Sequence, residues 1–118
     1  MTIEHVLAVV PVADIEVSSR FYTDLFGRAP DNTPPMPTLV EWQVRPGAWV
    51  QVFCDAERAG RGLLNLAVDD LDVHLAELRE RGLAPGEIVE ANKGVRLARV
   101  EDPDGNEITI IGGFRVEY

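Results

Sequence analysis

Hydrophobic and polar residues follow one another in the first block of the chain as a strand followed by a helix. Residues 3–10 are mostly apolar and rich in β-branched side chains, which predicts a buried strand. Asp14 then offers an N-cap carboxylate, and Ile15 to Phe26 carry apolar residues at helical spacing. Gly27 suits the left-handed position that ends a helix. The pattern therefore predicts a strand and a capped helix.

The same order of elements returns in the second block. Residues 63–68 read as a strand, Asp70 as an N-cap, and residues 71–81 as a helix that ends at Gly82. Asp70 follows Asp14 by 56 residues. Such a spacing of matched signals indicates an internal duplication.

A hairpin closes each block. Proline and glycine in both predicted turns fix the backbone dihedrals that a tight reversal needs, and Gly47 and Gly105 of these turns lie 58 residues apart. The predicted hairpin strands are 38–44 and 49–54 in the first block, and 95–101 and 107–111 in the second. The sequence thus predicts an α+β fold made of two tandem βαβββ modules, and in each module the pattern locates the first strand, the helix and the two hairpin strands.

Length and composition indicate a single small domain. The 118 residues predict one domain over 1–118, with module one at about 1–56 and module two at about 62–113. No apolar run approaches the ~20 residues that a membrane helix needs, and the first residues lack the features of a signal peptide. The one cysteine, Cys54, cannot form an intrachain disulfide, which favours the cytoplasm.

The formal net charge of −9 narrows the choice of partners. A surface this acidic repels nucleic acid and anionic membranes, and it attracts cations. We therefore expect a small-molecule ligand, with neither a nucleic acid nor a membrane as partner. Acidic proteins are also common for reasons of solubility alone.

Two motifs carry a resemblance to a known family. They are the strand-to-helix segment of residues 12–27, with its Phe21-Tyr22 pair, and the Asp102-Pro103-Asp104-Gly105-Asn106 turn before the last strand. Both resemble the vicinal oxygen chelate superfamily, which includes glyoxalase I, extradiol dioxygenases, fosfomycin-modifying enzymes and bleomycin-resistance proteins. The resemblance implies a curved, open-barrel mixed sheet around a cleft, the glyoxalase/bleomycin-resistance/dioxygenase fold, and it implies a homodimer.

The resemblance also says where a metal ion would be held. Metal-dependent members place four ligands, normally His and Glu, on the first and last strands of the two modules. The matching positions here are Leu7, Gln51, Leu63 and Thr109. Leucine has no donor atom, and neutral oxygens bind divalent ions weakly, so we expect no metal and no cofactor. His5 lies two residues before Leu7, and it would be the first-strand ligand if the register were shifted by two.

The same positions predict a pocket of a different kind. Period-two alternation places Trp49, Gln51 and Phe53 on one sheet face, with Leu63 and Asn65 on another. Apolar walls with a few polar groups are typical of small-molecule pockets. Trp42 and Trp49 either stack on a planar or cationic ligand or fill the core or a dimer interface. The predicted ligand-binding residues are Leu7, Trp42, Trp49, Gln51, Phe53, Leu63, Asn65 and Thr109.

These observations favour a binding protein over an enzyme. The leading hypothesis is a metal-independent protein, similar to the bleomycin-resistance branch, that binds a small apolar or aromatic molecule, including cationic and antibiotic-like compounds. The alternative is a glyoxalase-like lyase or isomerase, or a dioxygenase-type enzyme, with Glu41 or Glu101 as acid or base. A third hypothesis is a vestigial cleft in a domain that acts through association. The sequence assigns no catalytic residue.

Overall fold

The described part of the chain forms two helices and seven strands, and the elements located from the sequence follow one another in the predicted order. The computed structural model of the protein describes residues 2–33 and 38–114. Its elements are β1 (Val6–Val12), α1 (Ile15–Phe26), β2 (Leu39–Arg45), β3 (Ala48–Cys54), β4 (Leu63–Val68), α2 (Leu71–Glu80), β5 (Val89–Glu90), a short 3-10 turn (Asn92–Gly94), β6 (Arg96–Glu101) and β7 (Glu107–Gly112).

The predicted cap residues begin and end the helices. The Asp14 carboxylate accepts hydrogen bonds from the backbone N–H groups of Glu16 and Val17, and Asp70 accepts one from Val73. Gly27 has a φ of 73° and its N–H donates to the carbonyl of Thr23, so it ends α1 in the left-handed conformation. These local signals explain why both helices begin where the sequence predicts.

The strands form two sheets of mixed direction. The first has the order β1-β3-β2 and the second the order β4-β7-β6-β5. In each sheet the strand before the helix pairs in parallel with the last strand of its hairpin. The two modules and the α+β fold are therefore as predicted, with one difference. Among the described residues, module one reduces the counterpart of β5 to a single bridge between Asn32 and Glu41.

Strand β1 begins three residues later than the apolar run of residues 3–10 predicts, and it is buried on one face only, not throughout as predicted. It starts at Val6, which lies opposite Ala48, the first residue of its partner strand β3. Residues 3–5 have no partner strand to pair with, because the chain before Ala48 turns away into the hairpin. An apolar sequence alone does not make a strand without such a partner.

Both sheets place one face against the helices, and these faces form one hydrophobic core. Residues from both modules belong to the same buried cluster, so the modules share their interior. The buried strand residues include Val10, Val12, Val50, Val52, Leu64, Ile108 and Ile110, and the helices add Tyr22, Leu25, Leu71, Leu75 and Leu78.

A polar network ties the β6–β7 turn of module two to module one. The Asn106 side-chain amide donates to the carbonyl of Pro11 and to Asp102 Oδ2, each at 2.7 Å. Its Oδ1 accepts from the backbone N–H of Gly62, also at 2.7 Å. The Tyr22 hydroxyl on α1 donates to Asp102 Oδ2 at 2.8 Å. Burial, and then the charge of Asp102, raise the pKa of the Tyr22 phenol, so it stays protonated as the donor.

A second tie joins the two helices. The Arg81 guanidinium, just after α2, donates to the carbonyls of Asp24 and Leu25 in the last turn of α1. These carbonyls have no partner within the helix, and a cation at this end also complements the helix dipole. Arg81 therefore acts as a C-terminal cap supplied by the other module.

Candidate functional site

The open face of the first sheet, which points away from the helices, carries the candidate site. Along β3, Val50 and Val52 are buried against the core, whereas Trp49, Gln51 and Phe53 point to the open face. Leu7 lies opposite Trp49 on the neighbouring strand β1, and both side chains remain accessible. The structure thus brings together the four predicted residues Leu7, Trp49, Gln51 and Phe53 on one surface.

Trp42 does not belong to this surface, so its prediction as a ligand-binding residue is wrong. It lies on β2 opposite Val50, on the helix-packed face, and its side chain is 0% exposed. Its ring packs against those of Tyr22 and Phe26, and its Nε1 donates to the carbonyl of Arg28 at 3.0 Å. Strand parity decides this position, since a β2 residue opposite a buried β3 residue is buried with it.

The same parity places Glu41 on the open face, next to Gln51. Glu41 Oε2 accepts a hydrogen bond from the Gln51 amide at 2.9 Å, and Oε1 accepts one from the Asn32 amide at 2.8 Å. The two amides therefore hold the carboxylate in a defined orientation. We call Asn32, Glu41 and Gln51 the Glu41 cluster.

Asp31 holds the Glu41 cluster in place from the side. Its carboxylate accepts from the backbone N–H of Gln43 at 2.6 Å and from Arg28 at 2.9 Å. The hydrogen bond from the Gln43 N–H, helped by the Arg28 guanidinium, outweighs desolvation and lowers the pKa of the Asp31 carboxyl. Because Asn32 also exchanges backbone hydrogen bonds with Glu41, the segment that carries it is fixed against β2.

His5 meets Trp49 at the end of the sheet. The Trp49 Nε1–H donates to His5 Nδ1 at 3.0 Å, and the two ring centroids lie 6.2 Å apart. An Nδ1 that accepts a hydrogen bond carries no proton, so in the neutral ring the proton is on Nε2. His5 therefore orients Trp49, and its Nδ1 lone pair is already in use.

These side chains enclose a shallow hollow of about 290 Å³. Its walls combine an indole ring, an alkyl side chain, a carboxylate and an imidazole. The lining residues are His5, Leu7, Asn32, Glu41 and Trp49. This mixture of apolar walls and oriented polar groups is typical of a small-molecule site.

On the open face of the second sheet, the edge strand β4 is more exposed than the inner strand β7. Leu63 is 80% exposed, and Asn65 is exposed beside it on β4. Thr109 lies between Asn65 and Arg99 in the register and is only 8% exposed. The Arg99 Nε pairs with Glu107 Oε1 at 2.7 Å. Leu63, Asn65 and Thr109 therefore share a face, as predicted, but Thr109 is largely covered by its neighbours.

The residues at the four family ligand positions do not fit a divalent metal ion. Leu7 and Leu63 offer no donor atom, and Gln51 and Thr109 offer only neutral oxygens, which bind divalent ions weakly. Within residues 2–33 and 38–114, no three His, Cys, Asp or Glu side chains lie close enough together to hold a metal ion. His5 does not complete a set, because its Nδ1 accepts from Trp49.

Sequence reasoning gave Glu41 only a conditional role and did not single out Asn32. The signal for Glu41 was present, since Glu41 and Gln43 alternate with Val40 and Trp42 along β2. Asn32 gave no such signal, because its position depends on how the segment after α1 folds back onto β2. Glu101, the other carboxylate considered, is exposed on β6 and lies opposite Glu107.

Comparison with known proteins agrees with this fold. The family model described as a glyoxalase-like domain matches residues 7–111. The chain is similar to the crystal structure of a glyoxalase/bleomycin resistance protein from Catenulispora acidiphila, with 31% identity, a TM-score of 0.84, and 92% of this chain and 96% of that chain covered. No curated protein sequence matches it significantly.

Two further solved structures are informative. TnmS3, an antibiotic-binding protein from a Streptomyces strain, is 28% identical with a TM-score of 0.79, covering 95% of this chain and 98% of that chain. Oxidase ChaP-H1 is 27% identical with a TM-score of 0.72, and the match covers 94% of this chain and 96% of that chain. Proteins of this fold therefore include both binders and enzymes.

The chain belongs to the glyoxalase-like domain family. This places it in the vicinal oxygen chelate superfamily that its sequence motifs predict. Among the described residues, neither helix has the length or the apolar character to span a membrane.

Proposed function

We propose that this protein binds a small apolar or aromatic, antibiotic-like molecule on its open sheet faces without the help of a metal ion. The observation that carries the proposal is the identity of the side chains at the family ligand positions. Leu7, Gln51, Leu63 and Thr109 offer apolar contact and neutral hydrogen bonds, and a metal-dependent site needs imidazole or carboxylate there.

The surroundings of these positions support binding. The Glu41 cluster and the His5–Trp49 pair leave an oriented polar rim beside the apolar side chain of Leu7. The similarity to the antibiotic-binding TnmS3 points in the same direction. The predicted contact residues are Leu7, Trp49, Gln51, Phe53, Leu63, Asn65 and Thr109.

A homodimer is part of this proposal. Both open faces carry apolar side chains that face solvent in the single chain, among them Val9, Phe53 and Leu63. A patch of this kind is typical of a surface that another molecule covers. A second copy of this chain, which offers the same apolar patch in return, would cover part of the open faces and leave the ligand a cleft near the boundary between the two chains. The lone thiol of Cys54 is compatible with action in the cytoplasm.

The test is a binding screen combined with elemental analysis. We expect some members of a panel of aromatic compounds and antibiotics to raise the melting temperature and to change the fluorescence of Trp49. The same effects should persist after the protein has been treated with a chelator that removes divalent metal ions. A stoichiometric transition metal in the purified protein, or a panel without a single binder, would overturn the proposal.

The alternative is an enzyme of the same superfamily. Glu41 faces the hollow on the open face, where it has the position of an acid or base. The similarity to oxidase ChaP-H1 favours this alternative as well. Turnover of a ligand found in the screen, lost in Glu41→Gln, would establish the enzyme over the binding protein.

A further inference from the structure

We infer that Glu41 selects ligands that carry a protonated amine on an aromatic or apolar framework. This inference rests on the proposed binding function and names the chemical class of the ligand. It assigns Glu41 as the residue that determines this preference and Trp49 as the aromatic wall beside it.

The carboxylate of Glu41 is held in place but its charge is not neutralised. Both of its oxygens accept hydrogen bonds from neutral amides. The arginine ion pairs within residues 2–33 and 38–114 join Arg28 to Asp31, Arg58 to Asp55, Arg96 to Asp72 and Arg99 to Glu107, and none of these four involves Glu41. Each carboxylate oxygen can accept a further hydrogen bond, so an ammonium group would find a prepared acceptor.

The wall beside the carboxylate suits the rest of such a ligand. Trp49 and Leu7 line the same hollow of about 290 Å³ as Glu41. The bond to His5 occupies the polar edge of the Trp49 indole, so the ring offers mainly its apolar surface. An indole ring attracts both aromatic rings and cations.

The second module provides an internal comparison. The position that matches Glu41 in the repeat is Arg99, since each lies opposite the matched residues Gln51 and Thr109. Arg99 is neutralised by Glu107 at 2.7 Å. Of these two matched positions, only the one in module one therefore carries a carboxylate without an ion-pair partner. The net charge of −9 adds a general attraction for cations. A control variant that removes one negative charge away from the hollow distinguishes this general attraction from the effect of Glu41.

The experiment compares amines with their neutral derivatives on the wild type and on Glu41→Gln. The probes are a panel of aromatic amines, beginning with 1-naphthylmethylamine, each paired with its N-acetyl derivative. The readout is the indole N–H resonance of Trp49 by NMR at pH 7, with the buried Trp42 as reference. Glu41→Gln keeps the shape of the side chain and removes its charge. The amides of Asn32 and Gln51 can rotate to restore their hydrogen bonds to residue 41.

In the wild type we expect amines to bind about tenfold or more tightly than their N-acetyl derivatives, because a hydrogen bond to a charged group is stronger than a neutral one. Glu41→Gln should weaken binding of the amines and thereby remove this preference. Glu87→Gln makes the same change of charge at an exposed position away from the hollow and should keep the preference.

Three outcomes would count against the inference. Equal binding of amines and derivatives by the wild type overturns it and leaves the proposed function intact. Loss of the preference in Glu87→Gln as well assigns it to the overall charge and not to Glu41. Absence of binding by every probe of either kind overturns both the inference and the proposed function.

Discussion

The two tryptophans of this protein have opposite roles although they lie on adjacent strands of one hairpin. Trp42 is enclosed by Tyr22 and Phe26, and its N–H donates to a backbone carbonyl. Trp49 is partly exposed and donates to His5. One residue therefore contributes to folding, and the other lines the candidate site.

Replacement of the two tryptophans by alanine should separate these roles. Trp42→Ala should lower the free energy of unfolding by about 3–5 kcal/mol, the usual cost of deleting a large buried aromatic side chain. Trp49→Ala should cost less than about 2 kcal/mol, as for most partly exposed positions. Urea denaturation measures both values. An equal loss in the two variants would contradict this assignment.

His74 should make stability fall in mildly acidic solution. It is partly buried on α2, and this burial lowers the pKa of its imidazole. Between that lowered pKa and the ordinary value of about 6.5 the unfolded chain binds more protons, so stability decreases as pH falls through this window. Urea denaturation at pH 7.5 and pH 5.5 should show this decrease, and His74→Gln should reduce it. A wild type that is more stable at pH 5.5 would refute the prediction.

At the residue level, the sequence predicted the sheet face on which a side chain lies better than it predicted the hydrogen-bond partner of that side chain. Strand alternation placed Trp49, Gln51 and Phe53 together, but the pair of tryptophans was treated as a unit, and Trp42 was placed wrongly in consequence. The bond from Trp49 to His5 spans 44 residues and the one from Gln51 to Glu41 spans 10. Such pairs depend on the register between strands, which periodicity alone does not give.

At the level of elements, capping residues explain why the helices were predictable. Asp14 and Asp70 supply local hydrogen bonds that do not depend on the rest of the fold. Strand β5 was harder to predict as a separate strand, because it has only two residues and forms only where β6 offers an edge. Short strands have little pattern of their own.

The bond between helix α1 and the β6–β7 turn should contribute measurably to stability. Tyr22→Phe removes the hydroxyl that donates to Asp102 at 2.8 Å and changes little else in the packing. We expect a loss of about 1–3 kcal/mol, as for hydrogen bonds to charged groups. Asn106→Ala should cost more, because it removes three hydrogen bonds that include the backbone of Pro11 and Gly62. Urea denaturation measures both, and a loss in Tyr22→Phe equal to or greater than that in Asn106→Ala would argue against this order.

At the level of the whole molecule, the proposed dimer depends on the open sheet faces. Leu63 is 80% exposed and contributes little to the core of its own chain. Leu63→Lys should therefore leave the melting temperature of the monomer nearly unchanged and shift the protein from dimer to monomer at micromolar concentration. Sedimentation velocity is the measurement.

Val73→Lys is the matched control for this substitution. Val73 is also an exposed apolar residue, 53% accessible, but it lies on helix α2 and not on an open sheet face. Val73→Lys should therefore leave the dimer intact. A wild-type protein that sediments as a monomer, or a dimer insensitive to Leu63→Lys, would contradict the proposed mode of association.

The shared core has a consequence for the connection between the modules. Residues 55–62 join β3 to β4 over the surface, whereas the two halves are held together by buried side chains, by Asn106 and by Arg81. We therefore expect covalent continuity at this connection to be dispensable for folding. Two polypeptides cut within residues 56–60 should reassemble when they are expressed together, and either one alone should remain unfolded because half of its interior is missing. The protein would then serve as a split reporter whose halves recover their fold, and with it their ligand binding, only when they meet.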